Sequence, residues 1–341
     1  MAGTTETNSG AVKITPDSLA KSYVKYRKEL ITIPQRSLSI MLPYVTLRPG
    51  IRYKEVVGQM DGDIELAPYN PIDTQDADTT INARELETFL GDVVKPFDPN
   101  SVVQSIYGSD TVQGEGLKNV PITALVFAFL LKKLGEKLLN AVFTAVRNPK
   151  GKTTKDLFNG YQTIVKSEIA NGAISEDKGN LHYFDKINAD NAIDVFEEFV
   201  QSANDKLVEQ DGLNLLCSRK AMQYYNIAYR DRFGSLPYNT KFEKPTLDIA
   251  PNIKLVALPN VPIDFMQLSS KKNVQMGICT NTPDCKFEVN KSLKSHFLLD
   301  FVGTMFFGVQ YESISPEFLH IGMQKTTASN PPQGGDTQEG A

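Results

Sequence analysis

The longest apolar-rich stretch of the chain, residues 121–146 (PITALVFAFLLKKLGEKLLNAVFTAV), predicts one long helix. Pro121 suits the first helical position, where a missing N–H costs nothing. Pro149 and Gly151 mark the turn that closes it, and Gly135 is the weak point in its middle. About 26 residues of helix span roughly 39 Å, more than the diameter of a small domain. Such an element reads as a spine rather than as one layer of a compact enzyme.

On either side the pattern is one of short strands, modest helices and loops. Residues 1–15 are small, polar and without periodicity, and 326–341 are a tail of the same kind. Asp17 caps a short helix over 18–29. Residues 30–45 carry two prolines and suit extended, edge-like chain, and 50–57 and 63–67 read as strands. Residues 68–83, rich in Asp, Thr, Asn and Pro, form a long excursion or hairpin tip. The chain returns over 85–94 and makes a short helix at 102–107. A Gly-rich link then leads into the spine.

Beyond the spine, 155–166 and 192–208 read as helices. In the second, Ile193, Phe196 and Val200 share one face. A buried strand at 213–217 leads to a helix over 220–233, capped by Ser218 and closed by Gly234. Strands at 253–258, 263–268, 274–279 and 285–289 make a mixed sheet. Residues 297–311 form one long strand, with Gly303 and Gly308 expected as bulges. No internal repeat is present.

Composition narrows the class. In 341 residues, 41% hydrophobic and 22% charged content is ordinary for a soluble globular protein, and the length allows two domains. A net charge of -4 argues against a dedicated nucleic-acid binder. Three cysteines are too few for a disulfide scaffold. The first residues lack the apolar core of a signal peptide, and the densest apolar run, 124–131, is too short to cross a bilayer. The expectation is a soluble protein made inside the cell, with no membrane partner.

The net charge hides an asymmetry. Residues 1–60 hold nine Lys/Arg against four acids, a net +5, while 61–120 hold twelve acids against three Lys/Arg, a net -9. Neighbouring segments of opposite sign are either a solvated face or complementary contact, within a subunit or between subunits.

No motif demands chemistry. Lys150-Gly151-Lys152-Thr153 resembles a phosphate loop, but a Walker A loop needs a glycine where Val146 stands and must follow a strand. The turn reading wins. Cys279 and Cys285 are spaced too widely for a zinc half-site and lack a second pair; they flank a hairpin. Cys217 behaves as a small hydrophobe. His182, His296 and His320 are isolated in sequence, without a nucleophile elbow to anchor a triad, and are expected at the surface or at strand ends. The acids at 61–65 lack the calcium-loop pattern. Phe301, Phe306, Phe307 and Tyr311 have no interleaved cations and are core residues rather than a base-stacking platform. No catalytic residue, metal ligand or cofactor site is expected, and the protein is not expected to be an enzyme.

The order of parts carries a resemblance. A basic N-terminal arm precedes a long acidic excursion, a short helix after Asp98-Pro99 and the spine with its Asn148-Pro149-Lys150-Gly151 turn. A helix–strand–helix block follows, from Leu215-Leu216-Cys217-Ser218-Arg219-Lys220-Ala221 to Asp231-Arg232-Phe233-Gly234. The ribbon 297–311 closes on Pro316-Glu317-Phe318. This resembles the major capsid proteins of tailed bacteriophages, whose fold is the Hong Kong 97-type, over roughly residues 16–325. The resemblance implies an α+β fold with these parts. Residues 1–50 are an N-terminal arm with a short helix, and 51–100 an extended E-loop with adjoining P-domain strands. A P-domain at 101–185 carries the spine at about 121–146. An A-domain at 186–290, a returning P-domain strand at 291–325 and a flexible tail at 326–341 complete the chain.

The function it implies is a structural subunit that self-assembles into pentamers and hexamers of an icosahedral shell around double-stranded DNA, made in the host cytoplasm and resident in the virion. Implied partners are copies of itself, a portal and scaffolding or decoration proteins, with non-specific proximity to packaged DNA. No long helical scaffolding segment precedes the arm, so any scaffold is expected to be separate. The Lys–Asn crosslinks of some members are not carried over, because no pair stands out here. An encapsulin-like nanocompartment and a tail or baseplate component are the alternatives. On this reading the acidic E-loop lies against a basic surface of the next subunit that includes the arm. Arg48, Arg52, Lys54 and Arg84, with Asp73, Asp76 and Asp78, are the expected assembly residues.

Overall fold

The computed structural model describes residues 38–62, 79–98, 122–234, 246–278, 285–293 and 298–325. In chain order these form β1 (Thr46–Pro49), β2 (Lys54–Gly62), β3 (Thr79–Glu87), β4 (Phe89–Phe97), α1 (Ile122–Ala141), α2 (Tyr161–Ala170), β5 (Leu181–Phe184), α3 (Ala192–Gln201), α4 (Asp205–Val208), β6 (Leu213–Ser218), α5 (Arg219–Phe233), β7 (Lys254–Leu258), β8 (Phe265–Ser270), β9 (Val274–Ile278), β10 (Phe287–Lys291), β11 (Leu299–Tyr311) and β12 (Leu319–Gln324). They divide into two units, Met1–Asn171 with Ser270–Ser313, and Gly172–Ser269 with Ile314–Ala341. This division differs from the expected boundaries. β9 and β10 join the first unit's sheet, and β12 joins the second unit's. Short apolar strands carry no local mark of the sheet they will enter. The helices expected at 18–29 and 102–107, the strand at 63–67 and His296 lie outside the described residues.

The first unit is built on β11. This strand pairs antiparallel with β4 over 299–307, with β10 over 299–303 and with β9 over 307–311; β9 in turn pairs parallel with β1. Phe301, Phe306, Phe307 and Tyr311 are all buried, as their apolar company predicts. Phe307 meets Phe158 edge-on at 4.7 Å, and Tyr311 meets Tyr161 at 5.2 Å.

The expected bulges are absent, because the β11 register runs unbroken through Gly303 and Gly308. Both glycines are required by close approach instead. A Cβ at Gly303 would lie 2.2 Å from the Phe287 ring, and one at Gly308 would lie 2.0 Å from the carbonyl oxygen of Glu87. Gly308 is the register partner of Gly277, whose Cβ would meet Thr88 at 2.6 Å. Two bare rungs side by side thus let the β3–β4 junction cross directly over the sheet. There the Thr88 amide donates to Tyr53 O at 2.7 Å.

The spine is shorter than predicted. α1 has 20 residues and runs through Gly135 without a break, ending at Ala141 rather than near Val146. The reason lies in how two helix ends satisfy each other. The amides of Gly160, Tyr161 and Gln162, which begin α2, donate to the carbonyls of Ala145, Val142 and Phe143. Orphan donors of one helix therefore meet the orphan acceptors after the other. Gly160 permits this, since a Cβ there would lie 2.5 Å from the Phe143 backbone. The following segment pairs with the 3-10 turn Thr154–Asp156 through Val146 N to Lys155 O and Asn148 N to Asp156 O. The predicted helix at 155–166 accordingly starts only at Tyr161. The Lys150-Gly151-Lys152 stretch is a turn, with Gly151 N donating to Asn148 O.

The second unit is a five-stranded sheet in the order β5-β12-β8-β6-β7. Ile193, Phe196 and Val200 of α3 are buried together, as their spacing predicts. α3 stops at Gln201 rather than running to 208, because Asn204 breaks it and caps α4 through Lys206 N. Ser218 caps α5 through Ala221 N at 3.0 Å, and Gly234 closes it at φ 79. Cys217 is buried, and burial pushes its thiol up to about 12. Cys285 is disulfide-bonded, while Cys279 lies outside the described residues.

His320 corrects the surface expectation. It is fully buried, with Nε2 3.0 Å from Ser202 Oγ and Nδ1 3.2 Å from Gly179 O, and its ring packs tilted against Phe199 at 4.8 Å. Burial holds its pKa down to about 4, and nearby His182 adds to this.

Two outcomes test this account. Gly308→Ala should cost about 1–3 kcal/mol in urea unfolding, because the Glu87 backbone must move. For His320 the unfolded chain takes up a proton near 6.5 and the folded one near 4. Stability is therefore complete above pH 6.5 and falls between 6.5 and 4, by on the order of 3 kcal/mol. His320→Gln should flatten that slope in thermal unfolding.

Candidate assembly surfaces

Among the described residues β2 and β3 pair only with each other, in unbroken register from Lys54↔Glu87 to Gly62↔Thr79. Nine residues a side make a ribbon roughly 27 Å long. An isolated two-stranded ribbon is marginal in water, so its root must hold it. Ile51, Val57 and Leu86 form a small buried cluster there. Tyr53 sits in the left-handed region at φ 66, an uncommon conformation for a bulky residue, and meets the Phe306 ring edge-on at 5.4 Å.

Charged groups complete the root. Lys54 bridges Glu85 at 2.8 Å and Glu87 at 3.1 Å, and the hydrogen bond it donates to Glu85 is the main reason its pKa is raised. Arg48 binds Glu55 at 3.0 Å and Gln275 Oε1 at 2.7 Å. Arg84 reaches Glu168 of α2 at 2.5 Å and Gln310 of β11 at 3.3 Å. The Arg84 pair is the most shielded, with side chains 15% and 20% exposed.

Arg48, Lys54 and Arg84 are therefore brought together at one root, and their partners there are acids and amides of their own chain. Arg52 is exposed in the β1–β2 connection. Asp73, Asp76 and Asp78 lie outside the described residues. Glu168, Gln275 and Gln310 escaped sequence reasoning. Gln275 is a junction: its carbonyl accepts from Tyr161 Oη at 2.8 Å, and its Nε2 donates to Glu312 at 2.8 Å. The available signal was a polar residue in the otherwise apolar strand Val-Gln-Met-Gly-Ile.

A second surface lies where β4, α1 and the turn after the spine meet. A cleft of about 620 Å³ opens there. Leu90 and Val94 of β4 are exposed on it, at 49% and 58%. Arg147 lies flat over Phe89, 3.5 Å from the ring centre. Asp156 accepts from Thr153 Oγ1 at 2.6 Å and from Thr153 N at 2.9 Å, which lowers its pKa. Among the described residues no three His, Cys, Asp or Glu converge to hold a metal, and no helix is long and apolar enough to cross a membrane.

No protein-family model and no curated protein matches the sequence. Solved structures do. A chain of the satellite phage P4 procapsid, determined with its size determination (Sid) protein, superposes with TM-score 0.56 at 12% identity, covering 88% of this chain and 100% of that one. The capsid of an empty GTA particle gives TM-score 0.54 at 12% identity over 96% and 95% of the two chains. A chain of Mycobacterium phage Adephagia gives 0.50 at 13% identity over 85% and 91%. The chain thus has the mixed α/β fold found in phage and GTA capsids.

The root makes a measurable claim. Arg84→Ala and Glu168→Ala should each destabilise the chain. A double-mutant cycle should return a coupling of about 1–3 kcal/mol for this shielded pair, and no coupling would show that the Arg84–Glu168 pair does not help to hold the ribbon.

Proposed function

We propose that this protein is a major capsid protein of a tailed bacteriophage: a structural, non-catalytic subunit that assembles into pentamers and hexamers of an icosahedral shell around double-stranded DNA. The observation that carries the reading is the likeness to capsid chains over nearly the whole length of both partners, 96% and 95% for the GTA capsid. Fold alone does not fix function, so the support from the surfaces matters. A ribbon of nine rungs that, among the described residues, pairs with no other strand is an element suited to engaging a neighbour.

On this reading the ribbon is the E-loop of a Hong Kong 97-type fold. The first unit corresponds to the P-domain with its spine and the second to the A-domain. A portal, scaffolding or decoration proteins and packaged DNA are the partners such a shell requires, with the virion as its location.

Electron microscopy of the purified full chain, with nuclease protection of particles from infected or expressing cells, tests the proposal. Closed icosahedral particles, with protected double-stranded DNA in the infected cell, are expected. Particles that hold protein cargo and no nucleic acid would replace it with a nanocompartment, and tubes or a lasting monomer would overturn it.

A further inference from the structure

β9 and β10 are two pieces of one line of chain. Phe307 pairs with Phe89 of β4 and with Ile278 of β9, so β9 lies on the flank of β11 opposite β4. Residues 299–303 pair with both β4 and β10, which places β10 on that same flank. Both strands run antiparallel to β11, and Thr304 N donates to Lys286 O at 2.8 Å. From Ile278 to Lys286 the flank therefore advances only from the rung of Phe307 to that of Thr304, about 10 Å. Residues 279–285 have just the rungs of Met305 and Phe306 to span. Cys279 and Cys285 stand at the two ends of this excursion. One step of about 3.8 Å inward from each flanking residue leaves their Cα atoms within reach of the roughly 4.4–6.8 Å that a disulfide spans.

Counting gives the same pair. The chain has three cysteines; Cys285 is disulfide-bonded, and Cys217 is free and buried in the second unit. Cys279, though outside the described residues, is the one that remains. Cys285 itself forms a small buried cluster with Phe306. The Phe306 ring meets Tyr53 edge-on at 5.4 Å, and the Tyr53 carbonyl holds the Thr88 amide at 2.7 Å. A line of contacts thus leads from Cys285 to the left-handed residue at the ribbon root.

We propose that Cys279 and Cys285 form a redox-sensitive staple. Oxidised, it closes the 279–285 excursion and fixes Phe306 against the ribbon root; reduced, it leaves the root freer to open. Tying the ends removes freedom that the loop would gain whenever the strand opens. The oxidant is a low-molecular-weight disulfide, oxidised glutathione or its like. One cysteine thiolate attacks it and displaces a glutathione thiolate; the second cysteine thiolate attacks the mixed disulfide and displaces the other. Two protein thiols are oxidised, two glutathione thiols are formed, and no further reactant is needed. A milieu of reduced glutathione keeps the pair apart, and an oxidising one closes it. The staple acts within one chain and does not rest on the shell-subunit reading.

The test uses the full chain, one portion treated with oxidised glutathione and one held in dithiothreitol. Trypsin, with a protease that cuts before Asp284, separates the two cysteines. Without reduction, the fragments holding Cys279 and Cys285 should stay linked in the oxidised portion, with Cys217 open to N-ethylmaleimide after unfolding. Alkylation of all three cysteines there, or a link to Cys217 or to another copy, overturns the pairing. Hydrogen exchange then reads the root. Peptides covering 53–57 and 86–88 should exchange roughly fivefold faster in the reduced portion, while 213–233 stays unchanged. Cys279→Ser, which leaves the packing of Cys285 on Phe306 in place, should show the faster rate in either portion. Equal exchange at the root in the two portions of the unmodified chain overturns the coupling and leaves the shell reading standing.

Discussion

The first unit depends on one steric allowance: two glycines, Gly277 and Gly308, on facing rungs of β9 and β11. Their missing side chains let Glu87 and Thr88 lie on the sheet's backbone, closer than any Cβ would permit. Everything at the ribbon root follows from that crossing. Thr88 ties down the Tyr53 carbonyl and, through Oγ1, the Ile51 carbonyl at 3.3 Å. The same crossing hands the chain from a free-standing ribbon to a strand paired along β11. Without it, β3 and β4 could not follow one another along the same neighbour.

The electrostatic pattern becomes clearer on these terms. A net +5 segment beside a net -9 segment suggested attraction without saying between what. The root absorbs part of it locally, since Lys54, Arg48 and Arg84 each find a carboxylate within their own unit. Such pairs hold the ribbon's direction more than they add stability, because most are exposed. Among the described residues, Arg147, Lys150, Lys152 and Lys155 in the segment after the spine have no ion-pair partner, and they belong to neither of the two charged segments.

Legibility followed periodicity and caps. Ile193, Phe196 and Val200 announced the buried face of α3, and Ser218 with Gly234 announced both ends of α5, because these are local signals. Errors arose wherever the cause was distant in sequence. α1 ends at Ala141 because amides fifteen to nineteen residues later take the carbonyls of Val142, Phe143 and Ala145 just beyond it, an arrangement that Pro149 and Gly151 obscured. Gly303 and Gly308 read as bulges because a lone strand glycine has two meanings, and only the partner strand decides between them. His320 looked like a strand-end polar residue until Ser202 and Gly179 closed around it. At the candidate surfaces, the basic residues of the root were legible by charge. The glutamines that orient them were not, since Gln275 and Gln310 gain their roles from strand pairing.

The two units are interleaved along the chain, which crosses between them at 171/172, 269/270 and 313/314. The strand at the centre of the first sheet, β11, and a strand inside the second, β12, are the last two made. Until residues 319–324 have been synthesised, β5 has no partner and the second sheet stands open at β8. A nascent chain therefore completes neither sheet early. Both sheets close almost together, only after residues 299–324 have been made, so a shorter nascent chain displays neither finished sheet.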